Sequence, residues 1–228
     1  MRQTWNDLLF AHWPLAPEAI RTLVPGMLQL DLHDGRAWVA VTPFHMSGIR
    51  GRALPYFPGL SVFPELNVRT YVTFKGVPGV YFFSLDAARR VAVWGARATF
   101  FLPYFFADMS AKINGDEVHY HSRRVASQRI ASSAEFRGRY SPLSGPRQSQ
   151  PGGLEHFLTE RYCLYAVRRR EVFRAGIHHL PWPLQDAEAE IQQNTMAEAA
   201  GIALPTSGPL LHFSKKLDVL VWWPEKVG

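Results

Sequence analysis

Residues Phe63 to Val72 read F-P-E-L-N-V-R-T-Y-V and set four chemically capable side chains at alternate positions. Successive side chains of an extended strand point to opposite sides. Glu65, Asn67, Arg69 and Tyr71 therefore share one face, and Leu66, Val68, Thr70 and Val72 share the other. A carboxylate, an amide, a guanidinium and a phenol on one face suit recognition of a small anion. Arg grips a carboxylate through two parallel hydrogen bonds. A Glu shielded from water has its pKa raised and can transfer a proton, and a Tyr supplies a directed donor. Arg97 and Tyr104, further along, extend the set. The alternative is a solvated strand face, or a structural Arg–Glu pair that needs no substrate, and spacing alone does not choose.

Other chemistries find less support. His119 and His121 share a face if extended and would suit one metal, but no HExxH or CxxC accompanies them, so surface histidines are the expectation. Adjacent His178 and His179 point opposite ways if extended, and His45 stands apart. No metal site is therefore expected. There is no GxSxG elbow, no GxGxxG and no P-loop, so no motif implies a cofactor. Cys163 is the only cysteine. It lies in the apolar run Tyr162 to Val167, which reads as a buried, inert thiol in a reducing cytoplasm.

The elements that must hold these groups are mostly strands. Hydrophobic residues make up 47% of the 228, enough for a sizeable core, and aromatics make up 13%, which favours strands. The net charge is +6, but Arg123–Arg124 and Arg168–Arg170 are short clusters without interleaved aromatics, so no nucleic-acid partner is expected. No apolar run approaches the roughly 18 residues that span a bilayer, and the first residues lack a signal-peptide pattern, so a cytoplasmic chain without a membrane partner is expected.

In chain order, Trp5 to Trp13 has helix-like spacing, and Pro17 opens a further helical turn. Leu28–Leu32 and Arg36–Thr42 flank His33-Asp34-Gly35, a hairpin signal. Ser47 to Pro58 reads as a long loop and pocket rim. Leu66–Phe74 and Val80–Leu85 form a second hairpin. Asp86 reads as the N-cap of a helix over 87–100, with a small-residue stripe of Ala88, Val91, Ala92 and Ala96. Phe105 to Ala111 reads as a further short turn. Lys112–Arg123 and Ala134–Tyr140 form another pair, and Ser141–Gly153 is a loop. A helix over Leu154–Thr159 precedes a third hairpin, Arg161–Arg168 with Glu171–Ile177, and then a stiff connector, His178 to Pro183. Residues 184–193 suit either strand or helix. Asn194 caps a short helix over 195–200 closed by Gly201, and Leu210–Trp223 is the last strand. With no repeat or linker, residues 1–228 read as one domain: an α+β fold, mainly an antiparallel β-barrel with a few peripheral helices. Every second strand residue of such a barrel would line its lumen.

Several strings resemble a known family: F-P-E-L-N-V-R-T-Y-V, G-V-Y-F-F-S-L-D-A, A-R-A-T-F-F-L-P-Y and H-F-S-K-K-L-D-V-L-V-W. With L-D-L-H-D-G-R-A-W-V-A-V-T-P-F and H-H-L-P-W-P-L, they make the chain similar to the YqjF-like, or DUF2071, family of bacterial proteins along nearly its whole length. That resemblance implies the acetoacetate-decarboxylase-like fold, with a central cavity. In true acetoacetate decarboxylases a pocket Glu strand, a strand ending in L-D and a helix with G-R-E precede a P-K-K segment whose first lysine forms a Schiff base. Here Glu65 matches the pocket acid and the helix carries Ala96-Arg97-Ala98. Pro103 matches, but Tyr104 and Phe105 stand where the two lysines would be. Lys75, in a turn, and Lys112, eight residues past Tyr104, are poor substitutes, so Schiff-base decarboxylation is not expected.

Three readings follow. One is a lyase- or isomerase-type enzyme acting on a carboxylate-bearing metabolite, with Glu65 as acid/base, Arg69 and Arg97 holding the carboxylate and Tyr104 donating to an oxyanion. Another is a non-catalytic protein that holds a small anionic metabolite in the same cavity with Asn67, Arg69, Tyr71 and Arg97. The last is an interaction module whose aromatic strands pair two copies into a homo-oligomer. A polar, closed pocket favours the first two; a filled barrel with the arginines outside favours the third.

Overall fold

The computed structural model describes residues 1–51, 62–125 and 133–228. Strands dominate: β1 (Arg2–Leu15), β2 (Gln29–Leu30), β3 (Ala37–Arg50), β4 (Phe63–Phe74), β5 (Val77–Ala87), β6 (Tyr104–Asn114), β7 (Glu117–Arg124), β8 (Glu135–Pro142), β9 (Cys163–Arg168), β10 (Glu171–His178), β11 (Gln185–Asn194), β12 (Leu210–Val221) and β13 (Glu225–Lys226). Helices α1 (Pro17–Arg21), α2 (Arg90–Phe100) and α3 (Leu154–Thr159) are short. Among the described residues no helix is long and apolar enough to cross a membrane.

The strands belong to one sheet, antiparallel except where β5 runs parallel to β6 and to β9. Two extra pairings, β4 with β5 and β10 with β12, close it on itself. One closed ring runs β12–β1–β3–β4–β5–β9–β10 and back to β12. A second leaves β5 through β6, β7, β8 and β11 and returns to β12. The two rings share β12, β1, β3, β4 and β5, so this wall is covered on both faces.

A strand buried on both faces loses the apolar/polar alternation that normally betrays it. That accounts for the largest correction to the sequence reading. Trp5 to Trp13 lies within β1, not in a helix. Its Leu9, Ala11 and Trp13 face one interior, and Leu8 and Phe10 face the other. Asp7, at φ 48°, lies where the pairing with β3 shifts register, so the period of two is also broken.

Other boundaries move for local reasons. β3 continues through Pro43 to Arg50, where a loop over Ser47 to Pro58 was expected; residues 52–58 of that loop lie outside the described residues. Residues 105–111, expected as a turn, belong to β6, and the 112–123 stretch folds at Asn114–Glu117 into the β6–β7 hairpin. The ambiguous 184–193 segment is β11, held between β8 and β12. Asp86 does not cap α2: β5 runs through Ala87, the helix starts at Arg90 and Asp86 is buried. Its carboxylate accepts hydrogen bonds from Arg124 Nε at 2.9 Å and Nη2 at 2.7 Å. A carboxylate that leaves water this fully needs a charged partner, which is worth more to it than free helix amides. The Asp34-Gly35 turn forms, both residues at positive φ and closed by a His33–Arg36 bridge, but the expected hairpin does not: β2 pairs with β4 at Gln29–Thr73 and Leu30–Val72 instead of with β3.

Candidate functional site

The rings differ in content. The second ring is filled by Leu66, Val68, Val118, Tyr120, Phe136, Tyr140 and Phe213, all buried. The seven-stranded ring encloses a cavity of about 350 Å³, within the usual range for small-molecule sites. The shared wall supplies both surfaces through strand alternation: on β4, Leu66 and Val68 turn into the filled ring, while Glu65, Asn67 and Arg69 turn into the hollow one. An extra residue on β5 lies at Phe83, because Val68 pairs with Ser84 while Arg69 pairs with Phe82.

Glu65, Asn67 and Arg69 are all buried. Tyr104, at the start of β6, donates its hydroxyl to both oxygens of Glu65, at 3.3 and 3.2 Å. Burial pushes the Glu65 carboxyl up to about 8, against the opposing effect of the Tyr104 and Asn67 hydrogen bonds. Glu65 therefore holds its proton at neutral pH. Burial, and then the Glu65 charge, raise the Tyr104 hydroxyl well above the usual phenol range, so it remains a donor. The backbone of Glu65 is fixed from the other ring, where the Tyr120 hydroxyl donates to its carbonyl at 2.8 Å.

Arg69 makes no salt bridge among the described residues. Its guanidinium lies 5.4 Å from the centre of the Phe10 ring and 5.9 Å from that of Tyr71, and its Nε has no partner. Asn67 Oδ1 and Trp182 Nε1, also on cavity-lining residues, are buried without partners. Arg161, just before β9, is a second buried cation at the cavity wall; it is engaged by Asp31 and the Phe157 carbonyl and lies over the Tyr71 and Phe157 rings.

Tyr71 and Arg97 do not join the group as the sequence suggested. Tyr71 is fully buried beside the cavity and is not part of its lining. Its hydroxyl accepts from Arg69 and lies 2.7 Å from His12 Nε2. Burial, with Arg69 and His212 nearby, lowers the His12 pKa well below the usual value, so the ring that shares this hydrogen bond is neutral. Tyr71 thus braces Arg69. Arg97 lies on the outer side of α2, exposed, with Nε donating to the Tyr104 carbonyl at 2.6 Å and the guanidinium over the Phe105 ring. The helix turns Ala92, Gly95, Ala96 and Thr99 to the cavity instead, at spacings of three and four residues, which leaves Arg97 on the far face.

Sequence reasoning missed Arg161, Thr42, Gln3 and His179, which also line the cavity. Thr42 was legible in principle, since it pairs with Asn67 across β3 and β4. Arg161 and His179 carry no spacing signal; the closure of the ring by β9 and β10 brings them in. His179, placed by the sequence in a stiff connector, is buried and stacked on Tyr162 at 4.7 Å. Trp182, in the same Pro-rich connector, packs on Trp5 and edge-on to Phe10. Burial lowers the His179 pKa.

His119 and His121 pair with Glu117 and Glu135 across the outer face of β7. Elsewhere Glu155, Asp186 and His212 converge, but the Arg147 guanidinium already bridges Glu155 and Asp186. The five lysines, Lys75, Lys112, Lys215, Lys216 and Lys226, all fall within the described residues, and none lines the cavity. Lys75 Nζ donates to the Val227 carbonyl at the far end of the β4–β5 turn.

The family model DUF2071, described as an uncharacterised conserved protein, matches residues 2–218. The chain belongs to the DUF2071 family. It is 53% identical over 222 residues to the uncharacterised protein YqjF of Bacillus subtilis strain 168, covering 97% of this chain and 90% of that protein. Among solved structures, the enduracididine biosynthesis enzyme MppR complexed with pyruvate matches with a TM-score of 0.67 at 11% identity, over 100% of this chain and 90% of that one. Acetoacetate decarboxylase from Legionella pneumophila matches with a TM-score of 0.64 at 12% identity, over 100% of this chain and 87% of that one. At such identities the likeness is one of fold: the acetoacetate-decarboxylase-like fold expected from the sequence.

Proposed function

We propose that this DUF2071 protein binds a small carboxylate-bearing metabolite in the hollow ring and moves a proton on it without forming an imine. The observation that carries the reading is a protonated, buried Glu65 four residues along the same strand face from Arg69, a guanidinium with no carboxylate of its own among the described residues. Arg69 anchors the ligand carboxylate. Once ionised, Glu65 takes a proton from the carbon next to a carbonyl, the electron pair moves onto the carbonyl oxygen, and the Tyr104 hydroxyl donates to that oxygen. Returning the proton to the same carbon exchanges it with solvent, and, where that carbon bears a vinyl group, returning it to the far end of the conjugated dienolate completes a double-bond isomerisation. A Schiff-base route lacks its amine, since no lysine reaches the cavity. MppR, of the same fold, has been seen complexed with pyruvate, which makes 2-oxo acids the first probes.

Thermal shift with pyruvate, 2-oxobutyrate and other carboxylates should stabilise the wild type more than Arg69→Ala. Solvent deuterium should enter C3 of a bound 2-oxo acid at a rate that rises with pH through about 8, as Glu65 ionises. Glu65→Gln should slow this about 10²- to 10⁴-fold. If no carboxylate distinguishes wild type from Arg69→Ala, the anion pocket is wrong. Binding without exchange would leave a carrier of the same ligand rather than an enzyme.

A further inference from the structure

Glu65, Asn67 and Arg69 of β4 with Thr42 of β3 form a polar strip on one wall of the cavity. Thr159, Arg161 and His179 also reach it from the segments flanking β9 and β10, but Thr159 is held by the Glu155 carbonyl, Arg161 by Asp31 and the Phe157 carbonyl, and His179 by the Leu180 carbonyl. Across the ring, β10 and β12 contribute Ile177 and Val221, and β9 contributes Leu164. Trp182 closes this side with a mostly apolar ring whose Nε1 is buried without a partner. A three-carbon acid, with about five or six non-hydrogen atoms, leaves about half of 350 Å³ empty. At about 30 Å³ per water-sized group there is room for on the order of ten non-hydrogen atoms. Water is poorly held along the apolar side, where it would find too few polar partners.

We propose that the cognate ligand is an amphiphilic carboxylic acid. Its carboxylate sits at Arg69, and an apolar chain or ring of about five to eight carbons lies among Leu164, Ile177, Val221 and Trp182. The inference rests on Arg69 as the anion anchor and adds the tail. Trp182 Nε1 and Asn67 Oδ1 remain available to a keto or hydroxyl group between the two ends. The opposite polarity of the two sides selects for length as well as charge, because each methylene added over the apolar side leaves water.

Isothermal titration of straight-chain acids from propanoate to decanoate, with phenylpyruvate and octan-1-ol, tests this on the intact protein. Affinity should tighten roughly three- to fourfold per added methylene and level off near octanoate. Octan-1-ol should bind far more weakly than octanoate. Gly95→Leu adds a side chain from α2 where a Cβ meets nothing within 4 Å; it should weaken octanoate at least tenfold and leave propanoate unchanged. Propanoate and pyruvate binding as tightly as octanoate would overturn the apolar tail while leaving the carboxylate site standing. Octan-1-ol matching octanoate, or Arg69→Ala binding octanoate as the wild type does, would remove the anchor and the inference with it.

Discussion

The two rings are built against the same five strands, yet one interior is packed and the other is hollow. Along β4 the difference is only parity: Leu66 and Val68 on one side, Glu65, Asn67 and Arg69 on the other. In the packed ring the tyrosine hydroxyls end on backbone carbonyls, Tyr120 on Glu65 and Tyr140 on Asp7. In the hollow ring Asn67 Oδ1, Arg69 Nε and Trp182 Nε1 have no partner among the described residues. Buried polar groups ordinarily find partners, and these three are the atoms that the proposed ligand would satisfy. The packed ring supplies the rigidity, and the shared wall passes it to the site, as where Tyr120 fixes the backbone beneath Glu65.

The sharpest way to break this contrast is through pH. The Glu65 carboxyl titrates near 8 in the folded chain and near its ordinary 4.5 when unfolded. Between those values the unfolded chain has lost the proton that the native state keeps, so the native state binds more protons and stability falls as pH rises. The slope is about 1.4 kcal/mol per pH unit, close to 5 kcal/mol over the window. Relative to Glu65→Gln, the wild type should lose stability from about pH 4.5 to 8 and then run parallel. Phe213→Leu, in the packed ring, should leave the pH dependence as in the wild type. Urea unfolding at a series of pH values measures both, and identical profiles for wild type and Glu65→Gln would remove the buried acid from the account.

Core truncation gives the next largest effect. Phe213→Ala opens a void in the packed ring and should cost about 3–5 kcal/mol. Phe82→Ala, beside an existing cavity, forfeits fewer contacts and should cost about half as much. Equal costs in denaturant titrations would mean that the hollow ring is as tightly packed as its neighbour. A smaller effect tests the shared wall. Tyr120→Phe should lower stability by about 1 kcal/mol and, by loosening the strand beneath Glu65, lower the Glu65 pKa as water gains access. Carboxyl NMR shifts follow that pKa, and an unmoved value would separate the site from the packed ring.

Much of the site was legible because it is local. Glu65, Asn67 and Arg69 lie on one strand, and a period of two is enough to put them on one face. Tyr104 was named for its phenol just after the helix, and its place beside Glu65 came from no spacing on the strand. Tyr71 obeys the same parity, but α3 places Phe157 against its ring and His12 takes its hydroxyl, so it ends beneath the cavity wall. Arg97 fails because α2 turns Ala92, Gly95, Ala96 and Thr99 to the cavity, and the helical period leaves Arg97 off that face.

The sequence by itself determined the strand-rich composition, the turn at Asp34-Gly35, the hairpin at Lys75-Gly76, the polar face of β4 and the lack of a lysine in the Pro103–Phe105 segment. These depend on a residue and its near neighbours. Tertiary structure alone decided that β1 is a strand, that Asp86 pairs with Arg124, that Arg161, His179 and Trp182 reach the cavity, and that one ring stays open. Each of these rests on contacts between segments far apart in the chain. Where two rings bury both faces of one wall, the local alternation that a sequence displays no longer says which side is full.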